Sequence, residues 1–85
     1  MNVLFTPTGW NEYVYWQTQD KKTLQKINKL IQSIERDGPL KGEGKPEVLK
    51  IIQGFSRRID DLNRIVYQYT KTDIVILSCR GHYED

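Results

Sequence analysis

Between Asp20 and Gly38 the apolar residues Leu24, Ile27, Leu30, Ile31 and Ile34 recur at the spacing of one face of an α-helix. Asp20 stands where an N-cap is wanted, and Asp37-Gly38-Pro39 supplies the stop. The opposite face carries Lys21, Lys22, Lys26 and Lys29, a pattern read as a solvated surface. A helix with a single apolar stripe must bury it against another layer, so the fold depends on what the rest of the chain offers as that layer.

Upstream, Val3-Leu4-Phe5 reads as a short strand ending at Thr6-Pro7, a capping residue followed by one suited to a first helical turn. Trp10, Tyr13, Val14 and Gln17 lie at i, i+3, i+4 and i+7 and predict a first helix with that face, widened by Tyr15 and Trp16. The aromatic cluster reads as core or subunit contact. Downstream, residues 40–46 hold two glycines and a proline and are expected to form a mobile loop. Residues 47–52 then predict a short strand broken at Gly54. Residues 55–60 predict another, with Arg57 and Ile59 on one face and Arg58 on the other. Ile65, Tyr67 and Tyr69 alternate with Val66 and Gln68, and Ile74-Val75-Ile76-Leu77 opens a last β-branched run. The turns between them, residues 60–63 and 71–73, are too short for anything but antiparallel hairpins. The expected architecture is α+β, with an N-terminal strand and two helices packed on a twisted antiparallel sheet. At 85 residues this is one domain spanning the chain.

So small a domain has no room for a deep internal cavity, and any site is expected to be open and surface-lined. One cysteine and one histidine exclude a disulfide framework and the common zinc patterns, so no metal and no cofactor is expected. Cys79 is expected to pack in the core among Ile74, Ile76 and Leu77. No apolar run approaches the roughly 20 residues that span a bilayer, and no membrane partner is expected; the chain reads as cytoplasmic. Thirteen Lys plus Arg against eleven Asp plus Glu leave a net charge of +2, which does not by itself point to nucleic acid.

Placement of charge says more than its sum. Arg57, Arg58, Arg64 and Arg80 fall on predicted strands, with Lys41, Lys45 and Lys50 in or beside the preceding loop. If the second helix covers one sheet face, the other can gather arginines into a basic surface suited to a phosphate backbone, because arginine offers paired planar donors. The competing reading is structural, with strand arginines paired to Asp60 or Asp61. His82 and Tyr83 follow Arg80. Histidine is the side chain best placed to exchange protons near neutral pH, and Glu47 is a carboxylate among cations. A base, an acid and arginines around one phosphate suffice to cleave RNA, and Tyr83 offers a face for an unpaired base. The alternatives are an idle, exposed His82 and a Tyr83 that seals the sheet edge.

The segments Tyr13-Val-Tyr-Trp16, Lys26-Ile-Asn-Lys-Leu-Ile31, Gly42-Glu-Gly-Lys-Pro-Glu-Val-Leu-Lys50, Ser56-Arg-Arg-Ile59, Arg64-Ile-Val-Tyr67 and Cys79-Arg-Gly-His-Tyr83 together resemble the YoeB branch of the RelE-type toxins of bacterial toxin-antitoxin systems. The resemblance implies an mRNA endoribonuclease acting in the ribosomal A site, a YefM-like antitoxin, a compact α+β fold and often a toxin homodimer. It also implies Glu47 as general base, His82 as general acid, Arg64 as the arginine that stabilises the phosphoryl transition state, and Tyr83 as the tyrosine that orients the substrate. Lys50 and Arg58 match supporting basic positions, with Lys45, Arg57 and Arg80 as further RNA-facing cations. Two other readings stay open: a gyrase-directed toxin resembling ParE, and a catalytically inactive module that binds RNA or an antitoxin. The chain departs from the resemblance in a shorter segment between Lys50 and Ser56, in Phe55 where tryptophan is common, and in Asn63 where histidine is frequent. Asn63 is expected to lie outside the chemistry. Glu84 and Asp85 extend beyond the terminal His-Tyr, where their carboxylates are expected to favour the proton-loaded form of His82 and to repel RNA.

Overall fold

The structure, a computed structural model, describes residues 1–82; Tyr83, Glu84 and Asp85, with the expectations attached to them, lie outside the described residues. The chain runs β1 (Asn2–Phe5), α1 (Pro7–Gln19), α2 (Lys21–Asp37), β2 (Glu47–Val48), β3 (Phe55–Arg58), β4 (Arg64–Tyr69) and β5 (Asp73–Ser78). The strands form one sheet in the order β1-β5-β4-β3-β2.

The α+β architecture is as expected, and one strand refines it. The pairs from β2 to β5 are antiparallel, but β1 joins the edge parallel to β5, so the sheet is mixed. β1 leads into a pair of helices rather than a tight turn, and nothing in that connection forces an antiparallel neighbour.

Each helix begins where its cap dictates. The Thr6 hydroxyl accepts the Gly9 N–H at 3.0 Å and Pro7 occupies the first turn of α1. Asp20 serves both helices: its N–H donates to the Trp16 carbonyl, and its carboxylate accepts the N–H groups of Lys22 and Thr23. Hydrogen bonds from Thr23 hold that carboxyl below its ordinary pKa. α2 buries Ile27, Leu30, Ile31 and Ile34, the face read from spacing, against Ile59, Ile65, Tyr67, Ile74, Ile76 and Cys79.

The inward face of α1 is not the expected one. Of the residues expected on it, Trp16 is buried and Tyr13 and Tyr15 pack against the core, but Trp10, Val14 and Gln17 are exposed, and Gly9 faces inward in their place. The reason is a backbone contact: a Cβ on Gly9 would lie 2.4 Å from the Ile76 carbonyl oxygen, so only glycine lets α1 lie this close to β5.

The loop after α2, expected to be mobile over residues 40–46, is tied down from inside by Arg57. Its guanidinium donates to the carbonyls of Gly38, Lys41 and Glu43, to Ser33 Oγ and to Tyr67 Oη. Tyr67 Oη in turn donates to the Pro39 carbonyl at 2.7 Å. Among the described residues no helix is long and apolar enough to cross a membrane.

Candidate active site

The site assembles from three pieces of backbone that meet at the start of β4. The first is β2. The loop held by Arg57 delivers the chain to Glu47, which pairs with Ser56 of β3, while Ser56 pairs with Val66 and Arg58 with Arg64 of β4. Glu47, directly opposite Ser56, and Arg64, diagonal to it on the other neighbouring strand, thus flank Ser56 within reach of long side chains. Arg64 donates through Nε and Nη2 to Ser56 Oγ, at 3.2 and 2.9 Å, and Nη2 lies 3.7 Å from Glu47 Oε2. The arginine side chain is 16% exposed and the carboxylate side chain 66%, so the cation is held in place while the carboxylate faces water.

The second piece is the turn between β3 and β4. The Asp60 carboxylate accepts the N–H groups of Leu62 and Asn63, at 2.8 and 2.7 Å, and both of its oxygens take bonds from Asn63 Nδ2. Partial burial opposes ionisation of this carboxyl, yet those hydrogen bonds prevail and keep it below its ordinary pKa.

The third piece is the arm that follows β5. The register shifts between Val66 and Tyr67: Val66 pairs with Ser78 and Tyr67 with Ile76, leaving Leu77 unmatched. This bulge reverses the side-chain alternation, which is why Ile74, Ile76 and Cys79 all reach the core. The Cys79 N–H donates to Glu12 Oε1 at 2.8 Å, and Trp16 Nε1 donates to the Cys79 carbonyl at 2.9 Å. Burial, and then the Glu12 carboxylate, push the Cys79 thiol up to about 12, which leaves it a packing residue, as expected. Further along, the Gly81 carbonyl accepts the Arg64 N–H at 3.0 Å, and the Gly81 N–H donates to Asn63 Oδ1 at 2.8 Å. His82, exposed, is the next residue.

Glu47, Arg64 and the arm carrying His82 are therefore brought together, while the supporting cations divide. Arg57 is corrected. It shares the alternation of buried Ile59, faces the helices rather than the open side, is 0% exposed and has all five guanidinium N–H groups engaged. It is an internal strut and cannot meet RNA. Arg58 is exposed but pairs with Asp61 and the Asp60 carbonyl, the structural alternative weighed for it. The Arg80 guanidinium sits 3.7 Å over the Tyr15 ring, against α1. Lys45 and Lys50 are exposed beside β2. Sequence reasoning missed Ser56, Asn63, Glu12 and Trp16 as residues that hold the site. Ser56 and Trp16 had a visible signal, their places in the Ser-Arg-Arg-Ile and Tyr-Val-Tyr-Trp segments. Among the described residues no cluster of His, Cys, Asp and Glu is arranged to hold a metal ion. A cleft of about 230 Å³ lined by Gln53, Gly54, Phe55, Gln68, Tyr69 and Thr70 lies at the opposite end of β4.

Two helices on a five-stranded mixed sheet, with a carboxylate and an arginine paired beside a histidine-bearing arm, define a small α+β domain with an open, polar site. The chain belongs to the family whose model is described as YoeB-like toxin of bacterial type II toxin-antitoxin system, which matches residues 5–83. Toxin YoeB of Streptomyces coelicolor is 49% identical over 98% of this chain and 100% of its own length. The solved YoeB dimer from Staphylococcus aureus superposes with a TM-score of 0.93 at 45% identity, covering 98% of both chains. A heterotetrameric YoeB-YefM toxin-antitoxin complex from the same organism gives 0.90 at 45% identity, with 98% of both chains covered.

Proposed function

We propose that this toxin is a ribosome-dependent mRNA endoribonuclease, working in the cytoplasm on mRNA held in the ribosomal A site. The observation that carries the reading is the Glu47–Arg64 pair, 3.7 Å apart, with His82 one residue beyond the Gly81 carbonyl that takes the Arg64 N–H. Glu47, open to water, takes the proton of a 2′-OH, and the freed oxygen attacks the adjacent phosphorus in line. Arg64, held by Ser56, meets the charge gathering on the phosphoryl oxygens. Protonated His82 gives its proton to the departing 5′ oxygen, leaving a 2′,3′-cyclic phosphate upstream and a 5′-OH downstream. Tyr83 is assigned to stacking on a substrate base. DNA lacks the 2′-OH and is spared.

The partners proposed with it are the ribosome, a YefM-type antitoxin and a second copy of the chain, by likeness to the solved YoeB-YefM complex and YoeB dimer. The test is brief expression in a bacterium with mapping of mRNA ends. Cuts within translated codons are expected, and Glu47→Ala, Arg64→Ala and His82→Ala are each expected to slow cleavage about a hundredfold or more, to a residual rate seen only in single-turnover measurements, and to remove growth arrest in folded protein. Growth arrest by a folded His82→Ala variant, or intact mRNA alongside DNA damage, would remove the nuclease assignment.

A further inference from the structure

His82 belongs to no strand, and the backbone just before it is held in place. Residues 79–81 are gripped from two sides. On the helix side, Glu12 and Trp16 take both peptide groups of Cys79, at 2.8 and 2.9 Å. On the strand side, Gly81 is held by the Arg64 N–H and by Asn63 Oδ1. Among the described residues, the side chain in this second grip is that of Asn63.

Its orientation is determined by its neighbours. Asn63 Nδ2 donates to both Asp60 oxygens, at 3.1 Å each, while Oδ1 accepts from Gly81. A flipped amide would set NH₂ against the Gly81 N–H and its carbonyl oxygen against a carboxylate, losing three favourable contacts and gaining two repulsive ones. The Asp60 carboxylate is itself immobilised by the N–H groups of Leu62 and Asn63. A rigid turn therefore presents one acceptor oxygen to one N–H, and that N–H is a single residue from His82. The same turn leads directly into Arg64.

We propose that Asn63 is a positioning residue for the general acid: oriented by Asp60, it holds the Gly81 N–H and so sets where His82 stands relative to Arg64. The inference rests on the ribonuclease reading and deepens it. It also revises the expectation that Asn63 lies outside the chemistry.

The experiment is single-turnover cleavage of mRNA on programmed ribosomes by the purified full chain, with hydrogen exchange of the Gly81 amide measured on the same proteins. Asn63→Ala is expected to lower the cleavage rate constant at saturation about tenfold or more, since a misplacement near 1 Å can cost about a hundredfold. The half-saturating concentration should stay within about twofold, because substrate contacts are untouched. Gly81 should lose exchange protection. In a His82→Ala background the same substitution should cost nothing further, because it acts through a side chain already gone. Across Asn63→Ala, Asn63→Ser and Asn63→His, rate loss should track loss of Gly81 protection, which keeps the test readable if one variant folds poorly. An Asn63→Ala protein that cleaves at the parent rate, a rate loss with Gly81 still protected, or an equal loss in the His82→Ala background overturns the inference and leaves the nuclease reading standing. A His82→Ala protein that cleaves like the parent removes the assignment of His82 and this inference with it.

Discussion

An arginine inside a domain of 85 residues is a heavy desolvation burden unless every donor is met. Arg57 meets it with five acceptors, three of them carbonyls of the loop that leads to Glu47. The loop is shaped around that guanidinium. Gly42, at φ 99°, passes so close that a Cβ there would lie 2.2 Å from Ser33 Oγ, the hydroxyl that accepts from Arg57 and from the Glu43 N–H. Lysine cannot replace such a fork, since an ammonium offers three donors from one point and cannot span acceptors on three elements. Arg57→Lys is expected to lose ~2–4 kcal/mol, a few unmet buried polar groups at about 1–3 kcal/mol each partly offset by rearrangement and water. Urea unfolding midpoints measure it. An unchanged midpoint would mean that the loop stands without its strut.

At the scale of elements, the decisive contact is α1 on β5. Gly9 lets the helix backbone touch the Ile76 carbonyl, Thr6 Oγ1 donates to the carbonyls of Ile76 and Leu77 at 3.3 and 3.0 Å, and Glu12 and Trp16 then grip Cys79 beyond the bulge. Gly9→Ala must push the helix outward against a backbone atom that cannot step aside. The expected loss is ~1–3 kcal/mol, read from thermal unfolding, with the exchange protection of the Cys79 amide falling alongside. A variant as stable as the parent would show that α1 shifts freely on the sheet. The same contacts explain what was legible in the sequence. α2 could be read because its stripe, its Asp20 cap and its Gly38 stop agree. α1 could not be oriented, because its inward surface is marked by the absence of a side chain at Gly9 while the bulky Trp10 lies outside. Alternation did put Arg57 with Ile59, but a charge on a strand argued for the open face, and only the distant Ser33, Tyr67 and loop carbonyls explain its burial. The bulge at Leu77 left no signal, so the alternation of the last strand could not be carried through to Cys79. Glu47, Arg64 and His82 were singled out by likeness to known segments, whereas Asn63 depends on a contact with Gly81 eighteen residues away.

For the whole molecule, the question is how a protein of net charge +2 holds RNA. Three of its arginines are spent on the protein itself: Arg57 on the loop, Arg58 on Asp61 and Arg80 on Tyr15. Arg64, held by Ser56 against Glu47, and the exposed Lys45 and Lys50 to either side of β2 are the cations near Glu47 that a phosphate backbone would meet. Two or three phosphate contacts release few counterions, so affinity for free single strands should be low and only weakly dependent on salt. At about 0.7 per neutralised phosphate, the slope of log K against log salt should lie near −1.4 to −2.1, measurable by fluorescence titration of a short labelled RNA. A domain built this way does not capture its own substrate. Under the proposed function it would act on mRNA already held and extended, as on an occupied ribosome, where an open site would let a small protein reach a strand that lies in a channel. Cleavage of naked RNA should accordingly be far slower than cleavage on programmed ribosomes at equal RNA concentration. Tight binding to naked RNA with a slope steeper than about −4 would instead require many more phosphate contacts than the cations near Glu47 can make, and would overturn this account.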